Sequence, residues 1–325
     1  MSKPRVARHL ARVRRLPRTS SLARLTRPGR FPLAAPSWPG SVPRPPAERT
    51  TGIDYETDWA RRYPARLTRA LLVDHVLRPA VEVLASPRVH GLDRIDALSE
   101  SALFVANHHS HLDTPLLLTA LPDRFRHRTV VAAGADYFFT SRARGAVWAL
   151  GLGAIPIERT KVSRRSADLA ADLLDDGWSL VIFPEGGRSP DGWAQAFRAG
   201  AAYLALRCNR PVVPVHLEGT RRVMKKGDRW PRPSTVQVTF GSPMRAHDGE
   251  DARRFGQRIE RAVATLADER ATDWWTARRR AATNTTPPLT GPGAVAPWRR
   301  TWALAESSRS RRRRTADGEL APRWP

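Results

Sequence analysis

The 325-residue sequence contains a single cysteine, Cys208, and no run of 18 consecutive apolar residues. One cysteine excludes an internal disulfide and a zinc site built from several cysteines. The longest uncharged apolar stretch, residues 145–157, is interrupted by Gly151 and Gly153, so we predict no transmembrane helix. The N-terminal residues are basic, but no apolar core follows them, and we predict no secretory signal.

Net charge is nearly absent from the middle of the chain and concentrated at its ends. Residues 1–50 hold 12 Lys or Arg and one acidic residue, residues 276–325 hold 11 Arg and three acidic residues, and residues 51–275 hold 32 basic and 27 acidic residues. We predict a disordered basic tail at 1–50 and a Pro/Arg/Trp-containing tail at 276–325, because neither can bury enough apolar surface to offset its ordering entropy.

Cationic tails of this kind suit an anionic membrane surface or nucleic acid. A nucleic-acid-binding protein is therefore the non-enzymatic alternative. The middle of the chain offers no basic stripe and no nucleic-acid-binding motif, so no specific nucleic-acid partner is expected.

Between the tails, the apolar patterns predict two segments. Residues 51–86 place apolar residues three or four positions apart, which predicts an amphipathic helical segment that lies on a membrane or packs against the rest of the chain. Residues 87–275 alternate apolar runs with helical patterns, which predicts a domain of the α/β class with a mostly parallel central sheet covered by helices. The predicted strands are 102–106, 129–133, 154–157, 179–183, 212–216 and 235–240, and the predicted helices are 114–120, 137–150, 164–176, 199–208 and 250–269.

A histidine and a carboxylate follow the first predicted strand in the sequence NHHSHLD, residues 107–113. Imidazole titrates near neutral pH, so His108 can take a proton from an alcohol. A carboxylate on the far ring nitrogen would fix the tautomer and stabilise the imidazolium. We therefore predict His108 as a general base and Asp113 as the group that orients it.

Three further blocks lie at or beside predicted strand ends, where ligand sites of α/β sheets gather. They are GAIPIER at 153–159, FPEGGRS at 183–189 and VVPV at 212–215. In the second of these, two glycines allow the backbone to approach a ligand. Arg159 and Arg188 can each offer a planar fork to phosphate, and Glu185 could hold Arg188 or bind an acceptor hydroxyl. The blocks together predict one cleft for a phosphorylated alcohol.

These four blocks, in this order, resemble the motifs of the glycerolipid acyltransferases, and most closely those of the lysophosphatidic acid (1-acylglycerol-3-phosphate) O-acyltransferases. The resemblance implies transfer of a fatty acyl group from acyl-CoA or acyl carrier protein to the free hydroxyl of lysophosphatidic acid, giving phosphatidic acid in phospholipid biosynthesis. It implies peripheral association with the cytoplasmic side of the cell membrane. Neither a metal nor a cofactor beyond the acyl thioester co-substrate is expected.

The same resemblance assigns roles to individual residues. His108 would be the base and Asp113 its partner. Substrate binding would fall to Asn107, Ser110, Arg159, Glu185, Gly186, Gly187 and Arg188. Gly187 stands where the family usually has threonine, and another lysophospholipid or polar lipid acceptor is the alternative substrate.

The stretch His109-x-His111-x-Asp113 also supports a metal-based alternative. Its spacing resembles that of binuclear metallohydrolases of the metallo-β-lactamase fold, whose imidazoles and carboxylates bind zinc. That pattern usually continues with another histidine, whereas position 114 is Thr, and His216 and His247 are the main further candidates.

Overall fold

A computed structural model describes residues 51–158, 164–225, 227, 228 and 230–291. Its centre is a seven-stranded sheet in the order β1-β7-β6-β2-β5-β3-β4, in which every neighbouring pair is parallel except β6 and β7. The strands are β1 (Arg88–His90), β2 (Leu103–Ala106), β3 (Thr129–Gly134), β4 (Ala154–Ile157), β5 (Ser179–Ile182), β6 (Val212–Glu218) and β7 (Gln237–Phe240). The predicted α/β fold with a mostly parallel sheet is confirmed.

The helices lie between and around these strands. They are α1 (Ala65–Leu72), α2 (Arg78–Ala85), α3 (Asp113–Ala120), α4 (Asp123–Arg126), α5 (Ala135–Phe138), α6 (Arg142–Leu152), α7 (Arg164–Asp175), α8 (Gly200–Arg207), α9 (Thr220–Val223), α10 (Ala252–Ala271) and α11 (Trp274–Ala282). The single helix predicted over 137–150 is wrong, because α5 ends at Phe138 and α6 begins only after Ser141. The Ser141 hydroxyl accepts a hydrogen bond from the Arg144 N–H at 3.3 Å and so caps the second helix.

Helices cover both faces of the sheet, and the central strand β2 contributes side chains to both cores. Phe104 packs with α2 and α3 in one cluster, whereas Leu103 and Val105 pack with α7, α8 and α10 in the other. Successive strand residues point to opposite faces, so a strand covered on both sides must be apolar throughout. All four residues of β2 are fully buried, which explains why this strand reads as an unbroken apolar run.

The segment before β1 packs against the sheet as a nearly continuous helix. A π-helical turn at Val73–Leu77 joins α1 to α2, and α1 contacts α6. The guanidinium of Arg69, only 3% exposed, donates to the backbone carbonyl of Thr129 at the start of β3. Burial lowers the pKa of Arg69 to about 10. This anchor fixes the amphipathic segment to the domain, which is one of the two arrangements that the sequence left open.

The C-terminal part is more ordered than the sequence predicts, since α11 crosses the predicted boundary at 275. The Asp273 carboxylate caps this helix by accepting from the Thr276 N–H at 2.9 Å. The helix then packs against α10 through the fully buried Ala277 and an Arg280–Asp268 ion pair of 2.7 Å. The predicted basic tail at 1–50 and the end of the C-terminal tail, 292–325, lie outside the described residues.

Among the described residues, no helix has both the length and the apolar character needed to cross a bilayer.

Candidate active site

The turn that leaves the central strand β2 brings His108 and Asp113 together. His108 follows this strand by two residues, and Asp113 is the first residue of α3. The His108 Nδ1 atom lies 2.8 Å from the Asp113 Oδ2 atom. The base and carboxylate predicted five positions apart therefore form a hydrogen-bonded pair.

The Asp113 carboxylate is fully buried and organises the turn around it. Its Oδ2 atom also accepts from the backbone N–H groups of His109 and Ser110, at 2.6 and 2.7 Å. Burial raises the pKa of Asp113, but the His108 hydrogen bond and charge and the Ser110 N–H outweigh it, and the net pKa is lowered. An ionised carboxylate can only accept, so the Nδ1 atom of His108 carries a proton, and in the neutral form of the ring the lone pair lies on Nε2.

The plane of the His108 ring is fixed by a second contact. The Phe183 ring, at the carboxyl end of β5, stacks on the imidazole with 4.3 Å between centroids and 22° between planes. The His108 side chain is 17% exposed and lines a cavity of about 300 Å³. A base held on one side by a carboxylate and on one face by a ring can present Nε2 to a ligand in only a narrow range of directions.

The lining of the cavity combines polar groups with apolar side chains from β3, β4, α5 and α6. The lining includes His108, His111, Glu185, Gly186, Gly187, Arg188, Gln195 and Arg198, and the apolar side chains Val131, Phe138, Trp148, Leu152 and Ile157. Gln195 and Arg198 were missed by the sequence analysis. They follow the FPEGGRS block by several residues and belong to no motif, so only the folded loop reveals them.

Glu185 has a structural role that differs from the two predicted for it. Its Oε1 atom accepts from the His108 N–H at 2.7 Å, and its Oε2 atom accepts from the Gln195 N–H at 2.8 Å. Burial raises the pKa of Glu185 to about 8, against the opposing effect of these two N–H groups. The side chain therefore ties the turn after β2 to the loop after β5.

The glycine turn is shaped to let a guanidinium lie over it. Gly186 has a φ of +71°, and a Cβ there would lie 3.0 Å from the Cζ atom of Arg198. Gly187 also lines the cavity. A Cβ added there would have open space around it, because the nearest atom, Gln195 Nε2, would be 4.0 Å away. The positive φ thus favours glycine at 186, whereas a Cβ at 187 would meet only open space.

Asn107 and Ser110, predicted to bind substrate, instead bond to the protein backbone. The Asn107 side chain is buried, donates to the Leu217 carbonyl and accepts from the Leu217 N–H, both at 2.8 Å. The buried Ser110 hydroxyl donates to the Met224 carbonyl at 2.6 Å. Both side chains hold the turn against β6 and the loop after α9, and this is a positioning role.

Arg188 lies close enough to act electrostatically on the cavity. Burial, followed by the positive charge of Arg188, lowers the pKa of His111 to about 4. His111 is therefore neutral at pH 7 and stacks on Tyr137, with 5.9 Å between ring centroids. The cavity thus carries guanidinium charge without a competing imidazolium at position 111.

The remaining sequence blocks have separate outcomes. Arg159 lies outside the described residues, so its predicted role stays a prediction; Glu158, just before it, follows β4. The VVPV block forms the first part of β6, in agreement with the predicted strand at 212–216, and its Val213 and Val215 are fully buried core residues.

Among the described residues, no group of three or more His, Cys, Asp or Glu side chains is arranged to hold a metal ion. In the His109-x-His111-x-Asp113 stretch, the Asp113 Oδ2 atom is occupied by one imidazole and two backbone N–H groups.

Comparison with known proteins shows what part of the chain is similar to. Residues 86–218 match the family model described as Acyltransferase. The relatives below are named 1-acyl-sn-glycerol-3-phosphate acyltransferases, so the predicted resemblance to that family is confirmed.

The chain is 26% identical over 200 residues to a 1-acyl-sn-glycerol-3-phosphate acyltransferase of Cocos nucifera, covering 58% of this chain and 60% of that protein. It is 30% identical over 148 residues to the chloroplastic enzyme BAT2 of Brassica napus, covering 43% of this chain and 39% of that protein. The matches thus span less than two thirds of these relatives. The crystal structure of the 1-acyl-sn-glycerophosphate (LPA) acyltransferase PlsC from Thermotoga maritima has the same fold, with a TM-score of 0.50 and 22% identity over 66% of this chain and 83% of that one.

Proposed function

We propose that this chain transfers a fatty acyl group from acyl-CoA or acyl carrier protein to the free hydroxyl of lysophosphatidic acid, giving phosphatidic acid in phospholipid biosynthesis. The observation that carries the proposal is the His108–Asp113 pair of 2.8 Å at a cavity that Arg188 also lines. The names of the relatives support the choice of acceptor. The apolar side chains that line the cavity suit a fatty acyl chain.

In the proposed mechanism, His108 Nε2 takes the proton of the acceptor hydroxyl as its oxygen attacks the thioester carbonyl. Asp113 stabilises the resulting imidazolium. The tetrahedral intermediate collapses with cleavage of the carbon–sulfur bond, and the imidazolium returns the proton to the departing thiolate. No covalent acyl-enzyme is needed. Burial raises the pKa of the Cys208 thiol, which is the reverse of what an activated sulfur nucleophile requires.

The acceptor assignment can be tested by comparing lysolipids that share a hydroxyl but differ at phosphate. We expect purified protein with a labelled acyl-CoA to prefer lysophosphatidic acid, a phosphate monoester, over lysophosphatidylcholine, a zwitterionic diester, because guanidinium binds the more exposed and more charged group. Acyl carrier protein thioesters would be tested in parallel. Equal rates with both acceptors would contradict the monoester assignment, and no transfer to any lysolipid would contradict the function.

Arg188→Ala is expected to raise KM for lysophosphatidic acid by about ten- to a hundredfold, the effect of losing a charge-assisted bidentate contact worth about 1.5–3 kcal/mol. Arg188→Lys should recover only part of this, since an ammonium keeps the charge without the planar fork. Arg207→Ala removes an exposed surface arginine on α8 and serves as the control, with KM unchanged. Steady-state kinetics with varied acceptor would decide the matter, and an unchanged KM in Arg188→Ala would remove this residue from the acceptor site.

We also propose peripheral attachment to the cytoplasmic side of the cell membrane through the α1–α2 segment. Apolar side chains are exposed along it and on the neighbouring helix α6: Tyr63, Leu67, Leu71, Val76, Val83 and Val147. Exposed arginines accompany them at 62, 66, 142 and 144. An apolar face bordered by cations is suited to anionic lipid.

The Leu67→Asp/Leu71→Asp double variant should lose most binding to vesicles that contain phosphatidylglycerol, because each leucine is about half exposed and each aspartate adds both polarity and negative charge. Trp275→Asp is the control, since that exposed tryptophan lies on α11, which packs on α10 at the opposite face of the sheet. Co-sedimentation measures both. Equal loss in the two variants, or loss in neither, would contradict docking through α1 and α2.

A further inference from the structure

We propose that residues 285–291, here called the C-terminal strap, are a positioning element of the active site. The part of this proposal that concerns kinetics rests on the proposed function. The strap lies outside the segment that matches the acyltransferase family model, residues 86–218, and within the stretch whose composition predicts an unstructured tail. In the fold it returns from the end of α11 to the loop that follows the glycine turn.

The strap contacts that loop in two places. The Ala194 N–H donates to the Leu289 carbonyl at 3.1 Å, and Ala194 is only 2% exposed. Two residues later, the buried Gly291 packs against the indole of Trp193. The contact thus combines a shielded backbone hydrogen bond with close packing on an aromatic ring.

The packing at Gly291 leaves no space for a side chain. Its φ is +84°, and an added Cβ would lie 2.7, 2.9 and 3.0 Å from three atoms of the Trp193 indole. Contacts below 3.0 Å are too short for carbon atoms, so a substitution must push the strap and the ring apart. Glycine at this position is what permits the strap to lie flat on the loop.

A short path of hydrogen bonds joins this contact to the reacting groups. Gln195, next to Ala194, donates from its backbone N–H to Glu185 Oε2 at 2.8 Å and from its side chain to the Gly187 carbonyl at 3.2 Å. Glu185 in turn accepts from the His108 N–H at 2.7 Å. Displacing the strap therefore frees the loop that holds both the glycine turn before Arg188 and the backbone of the base.

The test compares two glycines that share a left-handed backbone and differ in their surroundings. Gly291→Ala forces a contact with Trp193, whereas Gly249→Ala, at a φ of +73° with nothing within 4 Å of its added Cβ, imposes the same backbone strain in open space. Both would be made in the full chain. We expect Gly291→Ala to raise KM for lysophosphatidic acid by about five- to twentyfold, the scale for a small misplacement of binding groups, and Gly249→Ala to leave it unchanged.

Hydrogen–deuterium exchange provides a measurement that is independent of activity. In Gly291→Ala, the amides of residues 189–198 should exchange faster than in wild type, because the Ala194 hydrogen bond opens more often. In Gly249→Ala they should exchange at the wild-type rate. Unchanged exchange in Gly291→Ala would overturn the strap contact itself, and faster exchange with the kinetics of Gly249→Ala would overturn its positioning role. If wild-type protein shows no acyl transfer, the proposed function fails while exchange still tests the strap.

Discussion

His108→Ala is expected to lower kcat by about a hundred- to ten-thousandfold, the usual range for loss of a general base. This corresponds to about 3–5.5 kcal/mol of transition-state stabilisation. The reason is geometric: the Asp113 carboxylate holds Nδ1 at 2.8 Å and Phe183 stacks on the ring, so Nε2 is the available lone pair at the cavity. KM for the acceptor should change little, because its phosphate is proposed to bind elsewhere, at Arg188.

His111→Ala is the matched comparison, since it removes another imidazole from the same cavity. In the part of the chain that the structure describes, that ring contacts Tyr137 and bonds to no carboxylate. We expect kcat within about tenfold of wild type, below the range for a general base. If the two alanine variants lose activity equally, the assignment of the base to position 108 is wrong.

Chemical rescue separates loss of a base from loss of structure. The alanine variant leaves a space between the Phe183 ring and the Asp113 carboxylate that is shaped for an imidazole. Free imidazole should therefore restore part of kcat in His108→Ala in proportion to its concentration and none in Asp113 variants. Identical melting temperatures of wild type and His108→Ala would show that the fold is intact.

The fold could be predicted because a sheet covered on both sides must consist of apolar strands. Six of the seven strands, β2 to β7, were predicted from their apolar residues. The exception, β1, has only three residues, Arg88–His90, at the edge of the sheet, and two of them are basic. Their pairing with β7 depends on a partner about 150 positions away in the sequence, and no local pattern encodes that contact.

The site was predictable where its residues lie in short motifs. His108 and Asp113 lie on one turn, so their spacing alone suggested the pair. Asn107 lies on the same turn, but its side-chain amide bonds to the backbone of Leu217 on β6. The direction of a side chain on a turn cannot be predicted from the sequence. Gln195 and Arg198 line the cavity because of the path that the loop after β5 follows. Loop residues have no regular sequence pattern from which such a position could be predicted.

Asp113→Asn is expected to lower kcat by about a hundred- to ten-thousandfold while preserving the fold. The amide has nearly the same volume, and its oxygen can still accept from the His109 and Ser110 N–H groups. It is neutral, however, so it cannot stabilise the imidazolium that forms as the acceptor is deprotonated. Because these hydrogen bonds would weaken on losing the charge, unfolding free energy should fall by about 1–3 kcal/mol.

The stability difference between wild type and Asp113→Asn should depend on pH in a defined direction. The folded-state pKa of Asp113 is lowered, so its ionised form contributes stability that is fully present above the unfolded-state pKa of about 3.9. That contribution is lost as pH falls through the lower folded-state pKa. The gap in melting temperature should therefore narrow below about pH 4.

Asp96→Asn, which changes an exposed carboxylate beside Arg124, is the control for both measurements. It should melt close to wild type and keep full kcat, because an exposed ion pair contributes little. A gap for Asp113→Asn that widens as pH falls below about pH 4 would mean that the carboxyl group is protonated in the fold. His108 Nδ1 could then carry the lone pair, Nε2 the proton, and the ring could not act as the base. The pH dependence of melting thus tests the tautomer on which the proposed mechanism depends, without any substrate.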